Sequence, residues 1–424
     1  MNISRITQFA FTCIIAALIV GLSACDELVS ILSTRDAPDT LRMEEEIVLG
    51  LVLPLTGPAA APYGFSMQRG FELAREEINN SQLGDVRISF ITEDNMTSVD
   101  GAVNAFQHLV DQGVPAIVGI AISTLGKQAF PVAQENQVVA FSSVSSAAGL
   151  SGIGDYIFRA GLATNILNPS GVKVSHAKLG YSKVAMIYDE ADVYSASSNA
   201  DFSVTLAELG VEVLTTQTFQ TGDVDFSEQL TAIMESNPEA ILISALAAER
   251  VKIMRQARKI GVPSFVSYIV PSLTANQVKI LGDAAEGAIT FASWSRTSNA
   301  PGNQAFVQNY QTKYGIEPDQ WAAQSYATLY ILAAAIAQVQ SPVAPAIRDA
   351  LAHTKDFNTI LGKFSFDPNG EALYQPIVLV VEDGQLEIVG DNHMSSVGDT
   401  PGDDTASDDM SSEDMLGDGV DSSN

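Results

Sequence analysis

The sequence predicts an α/β protein in which two doubly wound parallel-sheet lobes are joined by a hinge that the chain crosses three times. Short runs rich in Val, Ile and Leu alternate with longer segments of helical periodicity between residues 46 and 390. The runs are almost continuously apolar, which is typical of strands covered on both faces. This segment of about 345 residues is larger than one ordinary hydrophobic core can organise, and we therefore expect two lobes.

The strands and helices repeat one plan in two consecutive series. The first series is expected to contain strands 47–53, 86–91, 116–118 and 138–141 and helices 67–79, 99–111 and 125–135. The second series begins after Arg159, with strands 184–188, 211–215, 240–243 and 264–267 and helices 166–179, 198–209, 226–235 and 249–260. Because helical segments separate the strands, both series favour a parallel sheet.

The segment after the second series predicts that the chain returns between the lobes. Residues 305–351 are largely helical in pattern and are followed by an apolar run at 364–366, a turn at 367–370 and a strand at 376–382. We place the three crossings near 160–165, 290–295 and 361–363. The first lobe then comprises 46–162 and 292–362, and the second comprises 163–291 and 363–390. A hinge of this kind allows two lobes to close on a ligand.

Both ends of the chain differ from the middle. Arg5 precedes an apolar run from Phe9 to Leu22, which is shorter than the about 20 residues that span a membrane. The following Leu22-Ser23-Ala24-Cys25 resembles a bacterial lipobox, which implies a signal peptide over 1–24 and diacylation of Cys25; the alternative is a retained membrane helix. We expect a flexible tether over 25–45 and a disordered acidic tail over 391–424.

Composition excludes several classes of function. The net charge of −28 argues against attraction to nucleic acid. The two cysteines, Cys13 and Cys25, are assigned to the signal peptide and the lipid anchor, so no thiol remains for a disulfide, a zinc cluster or a nucleophile. The four histidines are scattered, and no nucleophile elbow or phosphate loop is complete. We therefore expect no enzyme, no catalytic residues, no metal and no cofactor.

Hydroxyl side chains follow two of the predicted strands in the first half. Ligands of open α/β folds lie beyond the carboxyl ends of the strands, and helix N-termini there favour anions. Ser123 and Thr124 follow strand 116–118, and Ser145 and Ser146 follow strand 138–141, after Ser142 and Ser143. The alternative is that these residues cap helices or turns. We favour ligand contact for Ser123 and Ser146, and a cap or turn role for Ser142 and Ser143.

Four sequence blocks resemble the type I solute-binding proteins exemplified by the leucine/isoleucine/valine-binding proteins. The opening LPLTGPAAAPYG at 53–64 is followed by GFELAREEIN at 70–79. Three further blocks agree: IVG at 117–119, TGDVDFSEQL at 221–230 and RQARKIG at 255–261. The resemblance covers nearly all of 46–390 and implies a type I periplasmic binding protein fold and ligand capture for an ABC importer.

The resemblance also implies a set of ligand-binding residues. Tyr63 and Tyr194 match aromatic residues of the two lobes, with ordinary loop aromatics as the alternative. Ser123 with Thr124 matches the hydroxyl that holds a ligand carboxylate, while Val144 and Ser146 match positions that offer a backbone carbonyl and a hydroxyl with its amide. Ser145, which lies between them, is a further ligand-binding candidate. Trp321 matches a residue of the side-chain pocket or belongs to the core of its helix, and Leu246 stands where the family has a second aromatic.

One family position differs in a way that bears on the ligand. Amino-acid binders of this family place a glutamate after the strand that we expect at 264–267, whereas this chain has Tyr268-Ile269-Val270-Pro271, with Ile269 at the ligand position. Burying a ligand ammonium without a carboxylate partner costs roughly several kcal/mol of binding free energy. The hydroxyls without the acid suggest a carboxylate, an amide or a neutral polar solute. Glu190, Asp192 or Glu249 could replace the missing acid, which keeps amino acids possible.

The sequence thus predicts a lipid-anchored solute-binding protein on the periplasmic or extracellular face of the cytoplasmic membrane. Its partners would be a small polar solute (carboxylate, amide or amino-acid-like), the ABC permease transmembrane subunits, and the membrane through acylated Cys25. The alternative is a sensory or protein-interaction lipoprotein that reuses the same fold, for example an activator of a cell-wall synthase.

Overall fold

A sheet of five parallel strands forms the first half of the computed structural model, which describes residues 46–81 and 86–389. Its strands are β1 (Glu46–Leu53), β2 (Arg87–Asp94), β3 (Ala116–Gly119), β4 (Val139–Ser142) and β5 (Ile157–Arg159), in the spatial order β2-β1-β3-β4-β5. Its helices are α1 (Phe65–Asn80), α2 (Val99–Asp111) and α3 (Ser123–Glu135). The order reverses between β1 and β3, which is the switch point of a doubly wound sheet.

The second sheet repeats this order. Its parallel strands are β6 (Lys183–Asp189), β7 (Glu212–Phe219), β8 (Ala240–Ser244), β9 (Ser267–Pro271) and β10 (Ile289–Ala292), in the order β7-β6-β8-β9-β10. The accompanying helices are α4 (Thr164–Leu179), α5 (Val193–Glu208), α6 (Ser227–Glu235), α7 (Ala247–Ile260) and α8 (Ala275–Leu281). The predicted pair of parallel-sheet lobes with one shared plan is confirmed, and the second switch point lies between β6 and β8.

The remaining elements complete both halves. They are the helices α9 (Asn303–Tyr314), α10 (Gln320–Val339) and α11 (Ala344–Ala352), the small antiparallel sheet β11 (Phe357–Thr359), β12 (Gly362–Phe366) and β13 (Ala372–Leu373), and the strands β14 (Ile377–Glu382) and β15 (Gln385–Ile388). Strand β14 pairs antiparallel with β10, and β15 pairs antiparallel with β14, so both strands extend the second sheet.

The third crossing lies later in the chain than we expect from the sequence. Phe366 contacts two rings of the first sheet, at 5.5 Å from Phe141 and 5.1 Å from Phe158 between ring centroids. Tyr374 donates a hydrogen bond to the carbonyl oxygen of Ala160, where the chain first leaves that sheet. Residues 363–373 therefore belong by their contacts to the first half, and the chain crosses at 374–376 rather than at 361–363. The other lobe boundaries stay predictions.

The core of the first half depends on a close approach between α1 and α10. A Cβ atom at Gly70 would lie 2.2 Å from the carbonyl oxygen of Ala322, so only glycine allows this helix contact. Helix α10 is long and apolar enough to cross a membrane by length and composition, but 72% of its most apolar window is buried inside the structure. It is therefore placed as the core helix of this half.

Some sequence predictions lie outside the described residues or miss their target. The signal peptide, Cys25, the tether and the acidic tail fall outside the described ranges. The strand predicted at 264–267 is placed too early, because β9 spans Ser267–Pro271. Strands β5, β10 and β15 and helix α8 were not expected from the sequence pattern.

Candidate functional site

The two switch points face each other through the loops that follow β1, β3, β6 and β8. Tyr63 lies in a short π-helical turn after β1, and its hydroxyl accepts a hydrogen bond of 2.9 Å from the backbone N–H of Ala247, the first residue of α7. This bond joins the first half directly to the second. The carboxyl edges of the two sheets therefore meet where open α/β folds bind ligands.

Tyr63 and Trp321, both predicted as aromatics beside a ligand, contact each other. Their ring centroids are 5.2 Å apart, with a tilt of 48° between the ring planes. Trp321 is held at the start of α10 by Asp319, whose carboxylate accepts hydrogen bonds from the backbone N–H groups of Trp321 and Ala322, both at 3.0 Å. The tryptophan is thus buried as part of the core of α10, and its contact with a ligand stays a prediction.

Ser123 and Ser146 come together, but within the protein. The buried Oγ of Ser123 accepts hydrogen bonds from the backbone N–H groups of Ser146 (3.2 Å) and Ala147 (3.1 Å). This arrangement ties the loop after β4 to the first turn of α3. The hydroxyl hydrogen of Ser123 is still available for donation, because a hydroxyl carries one donor and two acceptor positions. Contact of Ser123 and Ser146 with a ligand stays a prediction.

Thr124 connects the two halves. Its hydroxyl donates a 2.7 Å hydrogen bond to the carboxylate of Asp192 and accepts one of 3.0 Å from the backbone N–H of Val193. Asp192 also caps α5 by accepting from the N–H of Ser195 at 2.9 Å. Burial raises the pKa of Asp192, opposed by its hydrogen bonds with Thr124 and Ser195. Thr124 therefore serves a contact between the halves, a role that its sequence position did not indicate.

The loop of Val144 and Ser145 is held by a buried arginine that the sequence did not indicate. Arg159, the last residue of β5, donates hydrogen bonds to the carbonyl oxygens of Ser145 (3.3 Å) and Ala147 (2.7 Å). Its guanidinium also forms an ion pair with Glu371, which is contributed by the turn before β13. Val144 and Ser145 are buried in this loop. Arg159 thus positions one of the two predicted hydroxyl loops.

Leu246 and Ile269 differ in their positions relative to the site. Leu246 is half-buried immediately before Ala247, where the hydroxyl of Tyr63 is bound. Ile269 instead lies in the middle of β9, fully buried and registered between Leu242 of β8 and Ile289 of β10. The structure therefore does not bring Ile269 to the carboxyl edge, since β9 lies three residues later than we expect from the sequence.

The residues that do follow β9 still provide no carboxylate. The strand ends at Pro271, and Ser272, Leu273 and Thr274 come next. The absence of the family glutamate therefore holds at the corrected position. Among the three acids considered as replacements, Glu190 is exposed, and Glu249 accepts from the N–H of Gly222 and pairs with Lys252.

Arg250 is the second functional candidate that sequence reasoning missed. Its guanidinium donates to the carbonyl oxygens of Ala245 (2.9 Å) and Ser272 (2.7 Å), which lie just past the carboxyl ends of β8 and β9. The side chain is 1% exposed. A cation in the first turn of a helix opposes the helix dipole, and this was the one available sequence signal.

Two buried hydroxyls lie in the electrostatic field of this arginine. Burial raises the pKa of Tyr63 and of Tyr194, and the positive charge of Arg250 lowers both in part. Both phenols are therefore neutral near pH 7, and each is able to donate a hydrogen bond. Tyr194, predicted as the aromatic of the second lobe, is buried in the first turn of α5.

Two α/β halves whose switch points meet through buried hydroxyl, aromatic and guanidinium groups define a two-lobed solute-binding protein. The sequence profile described as "Periplasmic binding protein" matches residues 46–385. The chain belongs to this family. Periplasmic binding proteins of ABC importers are extracytoplasmic, and the related proteins below are solute-binding proteins rather than enzymes.

Known proteins similar to this chain span most of it. The Leu/Ile/Val-binding protein BraC3 of Rhizobium johnstonii is 25% identical over 346 residues, which cover 79% of this chain and 91% of the relative. LivJ from Streptococcus pneumoniae, whose crystal structure contains isoleucine, is 26% identical to this chain, with a TM-score of 0.75. The match covers 81% of this chain and 99% of LivJ. A solute-binding protein from R. palustris in complex with benzoate shares the fold at 20% identity, with a TM-score of 0.75. The match covers 82% of this chain and 96% of that protein.

Within residues 46–81 and 86–389, no three His, Cys, Asp or Glu side chains come together in a way that could hold a metal ion.

Proposed function

We propose that the protein is a lipid-anchored solute receptor that delivers a small polar solute to an ABC permease. The observation that carries the proposal is the pair of hydrogen-bonded contacts between the halves, Tyr63 with Ala247 and Thr124 with Asp192. A ligand that contacts both sides of this cleft would favour closure, because it binds the closed arrangement better than the open one. The permease would recognise the closed form.

The solute is proposed to be a carboxylate, an amide or an amino-acid-like molecule. Relatives and neighbours support this range, since one is named for Leu, Ile and Val and others hold isoleucine or benzoate. The hydroxyls of Ser123 and Ser146 are proposed to contact the ligand, with Tyr63, Tyr194 and Trp321 around it. The proposed ligand site is completed by Val144, Ser145, Leu246 and Thr124. Ile269 is not part of it, because it lies in the core of β9.

Lobe closure is tested by small-angle scattering and native mass spectrometry. Gently purified protein is expected to carry a small molecule that is lost on denaturation and to show a smaller radius of gyration with it than without it. A protein that neither carries nor binds any compound from carboxylate, amide and amino-acid libraries would contradict the proposal.

Anchoring by acylated Cys25 is tested separately. The mature chain is expected to begin at Cys25 and to carry the mass of a diacylglyceryl group, and Cys25→Ser is expected to move the protein from the membrane to the soluble fraction. An unmodified N-terminus, or a Cys25→Ser variant that stays in the membrane, would contradict the anchor.

A sensory or protein-interaction role is the second candidate. It is favoured by the fact that the protein's own side chains, Tyr63 and Thr124, already join the two halves. Genes for a permease and an ATPase beside this gene would favour the transport function, while their absence together with an empty cleft would favour the interaction function.

A further inference from the structure

Arg250 places a positive charge at the carboxyl edge of the second sheet. Its two terminal nitrogens bond to backbone carbonyls that follow β8 and β9, so the guanidinium spans the ends of two neighbouring strands. Ala247, which lies one turn earlier in the same helix, is the residue that binds the hydroxyl of Tyr63. The charge therefore lies beside the place where the two halves meet.

In the described structure no carboxylate lies within ion-pair distance of this guanidinium, although the charge of Asp192 acts on the same two phenols, Tyr63 and Tyr194. Among the described residues Arg250 forms no ion pair, and no acceptor lies within hydrogen-bond distance of its Nε. The neighbouring Glu249 is directed to Gly222 and Lys252 instead. Arg159 is equally buried and also bonds to two backbone carbonyls, yet it has Glu371 as a counter-charge. A buried charge without a partner is destabilising, and an anionic ligand would offset that cost.

Further donors lie near the guanidinium. The hydroxyl of Tyr194 is buried and has no partner among the residues that the structure describes. The hydroxyl of Tyr63 acts as an acceptor toward Ala247, so its hydrogen is available for donation. Both hydroxyls lie in the field of Arg250. Together with the Nε of Arg250, which has no acceptor in the described structure, these two hydroxyls suit a ligand group that only accepts hydrogen bonds.

Asp192 is a buried acid of the second half that could instead serve an ammonium. Its two carboxylate oxygens accept from the hydroxyl of Thr124 and from the N–H of Ser195, so both are engaged by the protein. An ammonium near Arg250 would also face a like charge, which is unfavourable at short range. The arrangement therefore favours an anion over a zwitterion.

We propose that the cleft selects a small organic acid without an amino group, with Arg250 of the second half as its charge complement and Tyr194 as a hydrogen-bond donor. This inference rests on the proposed solute-receptor function and assigns its substrate class. An acid held this way receives the positive charge from one half and hydroxyl groups from both. Its carboxylate therefore contributes to closure as well as to affinity.

The test uses compounds that share a carbon skeleton and differ in charge. Isothermal calorimetry compares 4-methylpentanoate with leucine and 4-methylpentanamide, and 3-phenylpropanoate with phenylalanine and 3-phenylpropanamide. In the set that binds, the acid is expected to bind at least about tenfold more tightly than the amino acid and the amide. An amino acid that binds most tightly would overturn the inference, while the solute-receptor function would stand.

Variants locate the effect. Arg250→Gln is expected to weaken binding of the acid at least about tenfold and to leave the amide nearly unchanged. Arg258→Gln is the matched control, since Arg258 lies two turns later on the same helix, bonds to the carbonyls of Pro263 and Val266, and stacks on Tyr268 away from the cleft. An equal loss in both variants would overturn the role of Arg250.

Tyr194→Phe keeps the test decisive if Arg250→Gln fails to fold. The hydroxyl of Tyr194 has no partner within the described structure, so its removal is expected to leave the melting temperature of the empty protein unchanged. Binding of the acid is expected to weaken several-fold, and unchanged affinity would contradict the proposed donor. If none of the six compounds binds and native mass spectrometry finds no co-purified molecule, the receptor function itself fails, and the inference fails with it.

Discussion

The contact of Thr124 with Asp192 predicts that one methyl-for-hydroxyl exchange opens the protein. Thr124→Val keeps the shape of the side chain but removes the 2.7 Å hydrogen bond to the buried carboxylate and the acceptor for the N–H of Val193. A hydrogen bond to a charged group contributes about 1.5–3 kcal/mol. At about 1.4 kcal/mol per tenfold, the closed arrangement is expected to lose about 10- to 100-fold in population relative to the open one.

Spin-label distance measurements test this prediction directly. The chain has no cysteine after Cys25, so a chain without the first 25 residues accepts labels at Asp111→Cys on α2 and Glu228→Cys on α6, both exposed. We expect Thr124→Val to shift the distance distribution toward longer values.

Thr205→Val is the matched control, because the buried hydroxyl of Thr205 bonds only within its own helix, to the carbonyl of Asp201. It is expected to leave the distribution in place. Identical distributions for Thr124→Val and the parent protein would refute the reasoning that this bond holds the halves together.

Three further predictions concern buried groups. Burial raises the pKa of Asp192, so the stability that its carboxyl contributes is present below the ordinary pKa of 3.8 and is lost as pH rises through the raised pKa. Asp192→Asn keeps the cap of α5, so its melting temperature is expected to rise relative to that of the parent protein as pH rises from 4 to 7 (about 3 pH units). A difference in melting temperature that shrinks over this range would contradict the raised pKa. Glu371→Gln leaves Arg159 buried without its counter-charge and is expected to lower the free energy of unfolding by about 3–5 kcal/mol in denaturant titration, whereas a loss below about 1 kcal/mol would show that the pair is not structurally important. Gly70→Ala is expected to cost about 1–3 kcal/mol because its Cβ would lie 2.2 Å from a carbonyl oxygen of α10, while Gly152→Ala, with no atom within 4 Å, is expected to be neutral; equal melting temperatures would contradict the close contact.

Most strands of the two sheets were predictable because they contain short, apolar runs between helical segments. Helix α2 was predicted with its observed bounds, since Ser98 caps it by accepting from the N–H of Gly101 at 3.0 Å. Helix α5 begins at Val193, about five residues earlier than expected, because its first turns are rich in serine and resemble a loop. The helix start depends on the cap Asp192, which a periodicity argument does not weigh.

The error in β9 shows where a family comparison by position becomes fragile. The sequence pattern places the strand at 264–267, but Phe265 is 78% exposed, whereas Tyr268 to Val270 are fully buried. The segment is apolar throughout, so periodicity alone does not fix which residues lie in the sheet. A shift of three residues moved Ile269 from the expected ligand position into the core. The conclusion that no acid follows the strand holds only because Ser272 and its successors are also uncharged.

Arg159 and Arg250 together indicate how the structure separates support from recognition. Both guanidinium groups are buried, and both hold loops by bonding to backbone carbonyls, so neither role was visible from residue type. Arg159 has its counter-charge within the chain, and its electrostatic cost is offset before any ligand arrives. Arg250 lacks one among the described residues, so an anion that enters the cleft recovers a free energy that the empty protein has already lost. In the proposed site an amide of the same shape would recover none of it, and ligand charge would become the main determinant of selectivity.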